Sequence, residues 1–380
     1  MNTSSLDADA DTVMLRRIAT ASPDQCYSQE EALQFMMTIP RYGEKEHRFL
    51  KRIYESTGID QRYSVIDDYR RAREDYTFFA PTEDMLPEPT VAQRNSLFVD
   101  HARALSHAAA AQLFAEEAAL PAGDGIAPAQ VTHLITVTCT GFSAPGFDQP
   151  LIQSLKLSPT VHRFHIGFMG CYAGFPALKM AHTICRADPS AVVLIADVEL
   201  CSLHLQFKPE PETMVANALF ADGAAAALVT AGVRRGNQGI RLHSFSTRII
   251  PDSDGAMAWQ LGDVAFDMRL SAYVPRLIQQ NIKEIVETTM GELGLTGDDV
   301  DLWAIHPGGR AILERAASSL GLPSEKVQHS WEVLRQYGNM SSATIFFVLR
   351  EMMRAGEEGT IFATAFGPGL TVESAHMELR

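Results

Sequence analysis

Residues 160–198 read TVHRFHIGFMGCYAGFPALKMAHTICRADPSAVVLIADV, and the fold can be inferred from this stretch outward. A short extended run, Thr160–Gly167, leads into a glycine turn, and Gly170–Arg186 then has the apolar spacing of a helix. The continuous apolar run Ala191–Val198 is typical of a strand that is covered on both faces. A strand, a helix and a second buried strand in this order predict an α/β protein.

The same alternation continues on both sides of this stretch. Val131–Thr138 is predicted as a buried strand before it, and Gly223–Val229 and Ile240–Ile250 are predicted as strands after it. The alternation predicts a mainly parallel α/β sheet. Residues 1–30 are polar and are predicted to fray or to wrap on the surface. The second part of the chain adds two strands and two helices, predicted at Val300–Ile305, Glu314–Leu320, Ser341–Arg354 and Thr360–Thr364.

A repeated spacing indicates two similarly built halves. Cys171 lies 33 residues after the end of one predicted strand, and Asn339 lies 33 residues after His306, which ends another. Cys171 and Asn339 each stand at the start of an apolar helix. We therefore predict an N-terminal half over residues 1–235 and a C-terminal half over residues 236–380. Strand ends from both halves are expected to meet at one cleft, where open α/β sheets bind ligands.

Composition and charge argue against several classes of protein. The chain has 380 residues and a formal net charge of −14, which disfavours general binding to nucleic acid or to an anionic membrane. Its five cysteines are an odd number without CxxC spacing, so we predict neither a disulfide framework nor a metal site. No apolar run is long enough to cross a bilayer or to form a signal peptide. We therefore predict a soluble protein of the reducing cytoplasm.

Cys171 is the first candidate for chemistry, in the motif GFMGCYAGF at residues 167–175. Most free cysteines are small buried apolar residues, and for the residue taken alone that interpretation stays open. Gly170, however, permits a sharp turn between a strand and a helix. The N–H groups at a helix N-terminus favour a thiolate, so Cys171 is also a candidate nucleophile.

His306 and Asn339 are the second and third candidates. His306 ends a buried strand in WAIHPGG at residues 303–309, where an imidazole is able to share a proton with a thiol or to donate to a carbonyl oxygen. Asn339 is either a helix N-cap or an amide donor to an oxyanion. A thiol, an imidazole and a carboxamide around one cleft suit carbon–carbon bond formation from thioesters. Loss of carbon dioxide would itself generate the nucleophile.

Five motifs give the chain a resemblance to a known family. GFMGCYAGF, LFADGAAA, WAIHPGGRAIL, YGNMSSATI and FGPGLTVE resemble motifs of the chalcone synthase superfamily, the type III polyketide synthases, over roughly residues 41–380. The resemblance implies a thiolase fold, with five αβαβα layers in two related halves, and a homodimer. It implies that Cys171, His306 and Asn339 are catalytic. It also implies acyl-CoA starters, malonyl-CoA extenders, and no metal or organic cofactor.

The resemblance also assigns substrate-binding residues one at a time. Phe220 and Phe266 match two gatekeeper phenylalanines between a CoA tunnel and the reaction cavity, Arg52 matches a contact to a CoA phosphate, and Gly308 is a further substrate contact. Several cavity positions depart from the plant enzymes and resemble bacterial members. The resemblance to those bacterial members implies a fatty acyl starter and an alkylpyrone or alkylresorcinol product. The matched cavity-wall residues are Cys139, Thr140, Ala144, Cys201, His204 and Ser341.

Two other functions stay open from the sequence. A ketoacyl synthase III-like enzyme shares the Cys-His-Asn set and the fold, but it condenses once and takes its malonyl unit from a carrier protein. A catalytically silent member would only bind acyl-CoA. The presence of all three candidate residues disfavours the silent member. Phe220 and the loop at Phe366–Leu370 favour the iterative polyketide synthase.

Overall fold

The architecture comes from a computed structural model that describes residues 12–232, 239–251, 253, 255–270 and 274–380. Strands and helices alternate along most of the chain. The strands are β1 (Val13–Ala21), β2 (Cys26–Ser28), β3 (Gln61–Tyr63), β4 (His133–Thr138), β5 (His162–Gly167), β6 (Val192–Leu200), β7 (Asp222–Ala231), β8 (Ile240–Ile249), β9 (Met257–Leu261), β10 (Phe266–Leu270), β11 (Leu302–Ile305), β12 (Gly359–Gly367) and β13 (Thr371–Leu379). The helices are α1 (Gln29–Met37), α2 (Glu44–Ser56), α3 (Val91–Ala118), α4 (Asp148–Leu155), α5 (Gly174–Ala187), α6 (Pro211–Leu219), α7 (Val274–Glu292), α8 (Arg310–Leu320), α9 (Gln328–Tyr337) and α10 (Thr344–Ala355).

A nine-stranded sheet contains two groups of strands that have the same internal order, apart from β5, which has no counterpart in the C-terminal group. The N-terminal group runs β5-β4-β6-β7-β1 and the C-terminal group runs β11-β12-β13-β8. β4 and β6 are parallel, as are β11 and β12, whereas β7 and β1, like β13 and β8, run antiparallel to their neighbours. The two related halves are therefore present. The prediction of a mainly parallel sheet is wrong, because antiparallel strands complete both groups.

Helices and strands stack in five layers. α5 and α10 form the middle layer between the two groups of strands, and Phe175 and Phe346 are fully buried there. α3 covers the outer face of the N-terminal strands, and α7 and α8 cover the outer face of the C-terminal strands. Each group of strands is thus covered on both faces, which explains why β6 is buried along its whole length and mostly apolar. The predicted αβαβα layering is the observed one.

The N-terminal segment contradicts its predicted structure. β1 lies in the middle of the sheet, paired with β7 along its length and with β8 at Val13–Leu15, and is not a frayed end. Arg16 and Arg17 obscure this strand in the sequence because they interrupt its apolar run. Arg16 pairs with Glu117 on α3, which allows it to be buried, and Arg17 pairs with both Glu117 and Glu116. Charge pairing across 100 residues overrides the local pattern.

The other predicted strands and helices exist with small shifts in their bounds, but β13, the β9–β10 hairpin and the helices α4, α6, α7 and α9 were not predicted. The predicted boundary between residues 235 and 236 lies outside the described residues. Within the described part of the chain, no helix has the length and apolar character needed to cross a membrane.

Three strand ends position the candidate site. Cys139 directly follows β4, Cys201 directly follows β6, and His306 directly follows β11. Because β4 and β6 are parallel neighbours, the residues after them emerge at the same edge of the sheet. The starts of the central helices α5 and α10 face this edge, so residues that are distant in sequence converge there.

Candidate active site

A cavity of about 340 Å³ lies where these strand ends and helix starts meet. Cys171, His306 and Asn339 all line it, as the spacing of the two halves predicts. Eight of the predicted substrate-binding residues belong to the same wall: Phe220, Phe266, Cys139, Thr140, Cys201, His204, Ser341 and Gly308.

Two predicted substrate-binding residues do not line this cavity. Ala144 lies in an exposed loop between β4 and α4. Arg52 lies on the exposed side of α2, where its guanidinium carbon is 5.4 Å from the centre of the Phe49 ring. The single chain therefore gives neither residue a contact with the cavity.

Backbone geometry presents Cys171 to the cavity. Gly170 has φ +84°, which favours glycine, and a Cβ at this position would lie 2.4 Å from Cδ of Pro368. The chain therefore turns sharply after β5, and Cys171 stands just before α5. Burial raises the pKa of the Cys171 thiol to about 11, while a hydrogen bond from Ser341 acts in the opposite direction.

His306 is held by its backbone, while its ring is left available. Its N–H donates to Thr364 O at 2.8 Å, which extends the pairing of β11 with β12. Neither ring nitrogen has a hydrogen-bond partner among the described residues, although the residue is only 1% exposed. Burial lowers the pKa of the imidazole to about 3, so the ring is neutral near pH 7. A neutral imidazole offers one N–H donor to a ligand in the cavity.

The Asn339 carboxamide has a defined orientation. Its Nδ2 donates one hydrogen to Gly308 O at 3.0 Å, and its Oδ1 accepts the N–H of Ser341 at 2.9 Å. The backbone of Asn339 also pairs with Leu219 O and with the N–H of Ala221, at 3.0 and 2.8 Å. One Nδ2 hydrogen therefore remains for a ligand. Together, His306 and Asn339 supply two uncharged donors beside a buried thiol.

One wall of the cavity is built from stacked rings. His204 stacks on Phe266 with ring centres 4.1 Å apart, and Trp259 stands edge-on to both. The Nε2–H of His204 donates to Thr140 O at 2.7 Å, and its Nδ1 accepts the N–H of Phe266 at 3.2 Å. Burial lowers the pKa of His204 to about 3. Because both ring nitrogens are already bonded, His204 serves as a wall and not as a proton carrier.

A pair of buried carboxyl groups behind the cavity was missed in the sequence. Glu199 accepts the N–H of Cys139 at 3.0 Å and the hydroxyl of Thr140 at 2.8 Å, and Ser342 bridges Glu199 to Asp197. Burial raises the pKa of both carboxyl groups, and most strongly that of Asp197. Glu199 has the better set of donors and is therefore the one we assign as ionised. Two acids within the apolar run of β6 were the available signal.

The exposed lining residues mark the open end of the cavity. Glu210, Glu212 and Arg269 lie there, and Lys208 pairs with Asp267 at 2.7 Å nearby. Deeper in the wall, Arg62 is buried and donates to the carbonyl oxygens that frame Phe220. In the described part of the chain no cluster of His, Cys, Asp and Glu side chains has the arrangement of a metal site.

Comparisons with known proteins agree with this geometry. Two family models match in succession: "Chalcone and stilbene synthases, N-terminal domain" over residues 2–233 and "Chalcone and stilbene synthases, C-terminal domain" over residues 241–379. The chain is 31% identical over 373 residues to the alpha-pyrone synthesis polyketide synthase-like Pks18 of Mycobacterium tuberculosis. The alignment covers 95% of this chain and 89% of that protein.

Solved structures of two eukaryotic proteins have the same fold. PKS-I from the brown alga Ectocarpus siliculosus superposes with a TM-score of 0.88 and 29% identity, over 97% of this chain and 98% of that one. The C-terminal type III polyketide synthase domain of Steely1 from Dictyostelium superposes with a TM-score of 0.86 and 26% identity, over 97% and 99% of the two chains.

The layered fold and these similarities define a polyketide synthase, an acyltransferase built on the thiolase fold, and the predicted fold class is confirmed. More specifically, the chain belongs to the chalcone and stilbene synthase family, the type III polyketide synthases. The family resemblance seen in the sequence motifs is thereby confirmed as well.

Proposed function

We propose that this enzyme loads an acyl group from acyl-CoA onto Cys171 and extends it repeatedly with malonyl-CoA. In loading, the Cys171 sulfur replaces the CoA sulfur on the starter carbonyl, and CoA leaves with the thiol proton. In each extension malonyl-CoA loses carbon dioxide, and the resulting enolate carbon attacks the Cys171 thioester. The Cys171 sulfur is released, and the longer chain, now on CoA, returns to Cys171 for the next round.

The observation that carries this proposal is the placement of Cys171, His306 and Asn339 on one buried cavity. Decarboxylation of malonyl-CoA places negative charge on the thioester oxygen. The N–H of the neutral His306 ring and the remaining N–H of Asn339 would bind that oxygen. We assign the catalytic roles accordingly: Cys171 is the nucleophile, and His306 and Asn339 form the oxyanion hole.

We further propose a fatty acyl starter and an α-pyrone product, with an alkylresorcinol as the alternative product. The similarity to Pks18, whose name refers to alpha-pyrone synthesis, supports the product class. Much of the wall that Cys139, Cys201, Phe266 and Trp259 contribute is apolar, which suits an alkyl chain. Phe220 and Phe266 would act as gatekeepers, and Gly308 would contact the substrate.

The substrates enter as CoA thioesters, and we propose that no metal or organic cofactor is needed because the thioester itself drives the chemistry. At the open end, Arg269 would offer positive charge to the CoA phosphates, as would Arg52 on the exposed side of α2. We also place the enzyme in the cytoplasm, since Cys139, Cys171 and Cys201 share the cavity and a reducing compartment protects them from oxidation.

We propose a homodimer in which the β5 edges of two copies meet. β5 is the last strand of the sheet, and most of its residues are exposed. The exposed rings of Phe142, Phe164 and Phe168 lie on or beside it, with exposed fractions of 49%, 42% and 39%. An uncovered strand edge flanked by aromatic rings favours pairing with a second copy. Ala144 lies in the same exposed region, where it would face the partner.

The test is to incubate the enzyme with malonyl-CoA and acyl-CoA starters of increasing length and to identify products by mass spectrometry. The proposal expects two or more extensions, a preference for long starters, and an acyl adduct on Cys171. The Cys171→Ala variant should form no polyketide. A product extended only once, or extension only from a malonyl carrier protein, would instead support the ketoacyl synthase III-like reaction. Absence of any Cys171 adduct would support the silent acyl-CoA-binding member.

A further inference from the structure

Ser341 contacts two of the three catalytic residues at once. Its Oγ donates to Cys171 Sγ at 3.6 Å, and its N–H donates to Asn339 Oδ1 at 2.9 Å. The residue is 2% exposed and its backbone has φ +48°, a left-handed conformation that is unusual outside glycine. Such backbone strain persists only where the surrounding structure enforces it, and strained residues are often found at functional sites.

Cys139 supplies the next link behind Ser341. Its Sγ lies 3.2 Å from Ser341 Oγ. A serine hydroxyl has one hydrogen, so when Ser341 donates to Cys171 its oxygen is free to accept the S–H of Cys139. Two thiols, one on the loop after β4 and one before α5, are thus joined by one hydroxyl from the turn before α10.

Glu199 favours the protonated form of the Cys139 thiol. Its carboxylate accepts the N–H of Cys139 at 3.0 Å and is therefore close to that thiol. Burial raises the pKa of Cys139 well above its usual value, and the negative charge of Glu199 raises it further. Cys139 consequently stays protonated and donates to Ser341, whereas Cys171 receives the Ser341 hydroxyl as a donor.

We propose that Cys139 and Ser341 are positioning residues that form a donor chain, from Cys139 S–H through Ser341 O–H, which stabilises the thiolate form of Cys171. The backbone N–H of Ser341 at the same time fixes the Asn339 carboxamide with Nδ2 toward Gly308 O and the substrate. The inference rests on the proposed function, in which Cys171 is the nucleophile. It adds a chain of hydrogen-bond donors to the buried Cys171 sulfur.

The test measures the thiolate directly, without turnover. The full-length enzyme without substrates reacts with iodoacetamide across a range of pH, and the carboxymethylation rate of Cys171 is followed by peptide mass spectrometry. The midpoint of the pH profile is the pKa of Cys171. In Ser341→Ala we expect the midpoint to rise by about one to two pH units, the effect of losing a hydrogen bond to a charged group. Ser341→Gly should show the same rise, because glycine adopts φ +48° without strain.

Variants of Cys139 test whether Cys139 takes part in the donor chain or whether Ser341 acts on Cys171 alone. Cys139→Ala should raise the midpoint by less than Ser341→Ala does, and Cys139→Ser should restore it because a hydroxyl also donates. Cys201→Ala, which removes another thiol from the same wall, is the matched control and should leave the midpoint in place. An unchanged midpoint in Cys139→Ala would overturn the chain, and an unchanged midpoint in both Ser341 variants would overturn the whole inference.

These outcomes are separate from a failure of the proposed function. If wild-type Cys171 took up no acyl group from any acyl-CoA, the nucleophile assignment would fail whatever the alkylation profile showed. If the acyl adduct and polyketide formed normally while the Ser341 variants kept the wild-type midpoint, only the donor chain would fail.

Discussion

The carboxamide of Asn339 provides the sharpest test of the oxyanion hole. Replacing it with alanine removes the side chain but keeps the backbone hydrogen bonds to Leu219 and Ala221, so the loop should hold its place. Of the two Nδ2 hydrogens, one is used by Gly308 O and one faces the substrate. The variant therefore loses a single donor to the developing oxyanion. Loss of one such donor lowers kcat by about 100- to 1000-fold.

The assay is malonyl-CoA decarboxylation, followed by carbon dioxide release and by loss of malonyl-CoA on chromatography. We expect kcat to fall by that factor with a small change in KM, because the contact strengthens as charge develops on the oxygen. Asn339→Asp should be at least as slow, since a carboxylate oxygen would face both Gly308 O and the reacting oxygen. Asn281→Ala, which removes an amide on α7 that donates to Leu277 O of the same helix, is the control. Decarboxylation by Asn339→Ala within tenfold of the wild-type rate would refute the role of the amide.

Four further predictions use other parts of the structure. Gly170→Ala should lower the free energy of unfolding by more than about 1–2 kcal/mol and block acyl loading. Gly123→Ala has similar backbone strain but open space around the new Cβ, so it should lower the free energy of unfolding by less and keep acyl loading. Urea unfolding measures both free energies. Because burial lowers the pKa of His204 to about 3, only the unfolded chain binds a proton at this residue below about pH 6.5, and the folded state loses stability as the pH falls. His204→Gln should recover about 2 kcal/mol of the stability that the wild type loses between pH 7 and pH 5. Equal losses of stability in the two proteins would contradict this. Phe164→Lys should convert the dimer to a monomer in light scattering; a stable dimer would move the interface away from β5. Ala144 would reach the cavity of the partner only in the proposed dimer, and Ala144→Met should then shorten the accepted starters; an unchanged starter profile would contradict that contact.

The catalytic candidates were predictable because each is marked locally. Cys171 follows a glycine whose positive φ is required by the turn, and His306 follows a short buried strand and precedes a proline. Asn339 precedes the apolar helix α10. Such marks arise from steric and hydrogen-bonding rules that act over a few residues. The repeated spacing then predicted that the three would meet, and they line one cavity.

Other parts of the site and the fold had no local mark. β1 was missed because a charged Arg16 does not fit the pattern of a buried strand. Only the folded chain brings Glu117 beside Arg16 to compensate that charge. Asp197 and Glu199 were not singled out in the sequence, because only the fold shows that both are buried behind the cavity. The contribution of Ser341 depends on Cys139, 202 residues away, so no neighbouring residue in the sequence indicates it.

By itself the sequence determined the residue chemistry of the site, the sharp turn at Gly170 and the division into two similar halves, because these depend on side-chain type and on short-range backbone limits. Only the tertiary structure decided that antiparallel strands complete both groups, that β1 lies at the centre, and that two thiols and a hydroxyl stand in a row. Those features depend on which surfaces pack together and which charges are paired at long range, and the free energy of that packing is shared among residues that are far apart in the chain.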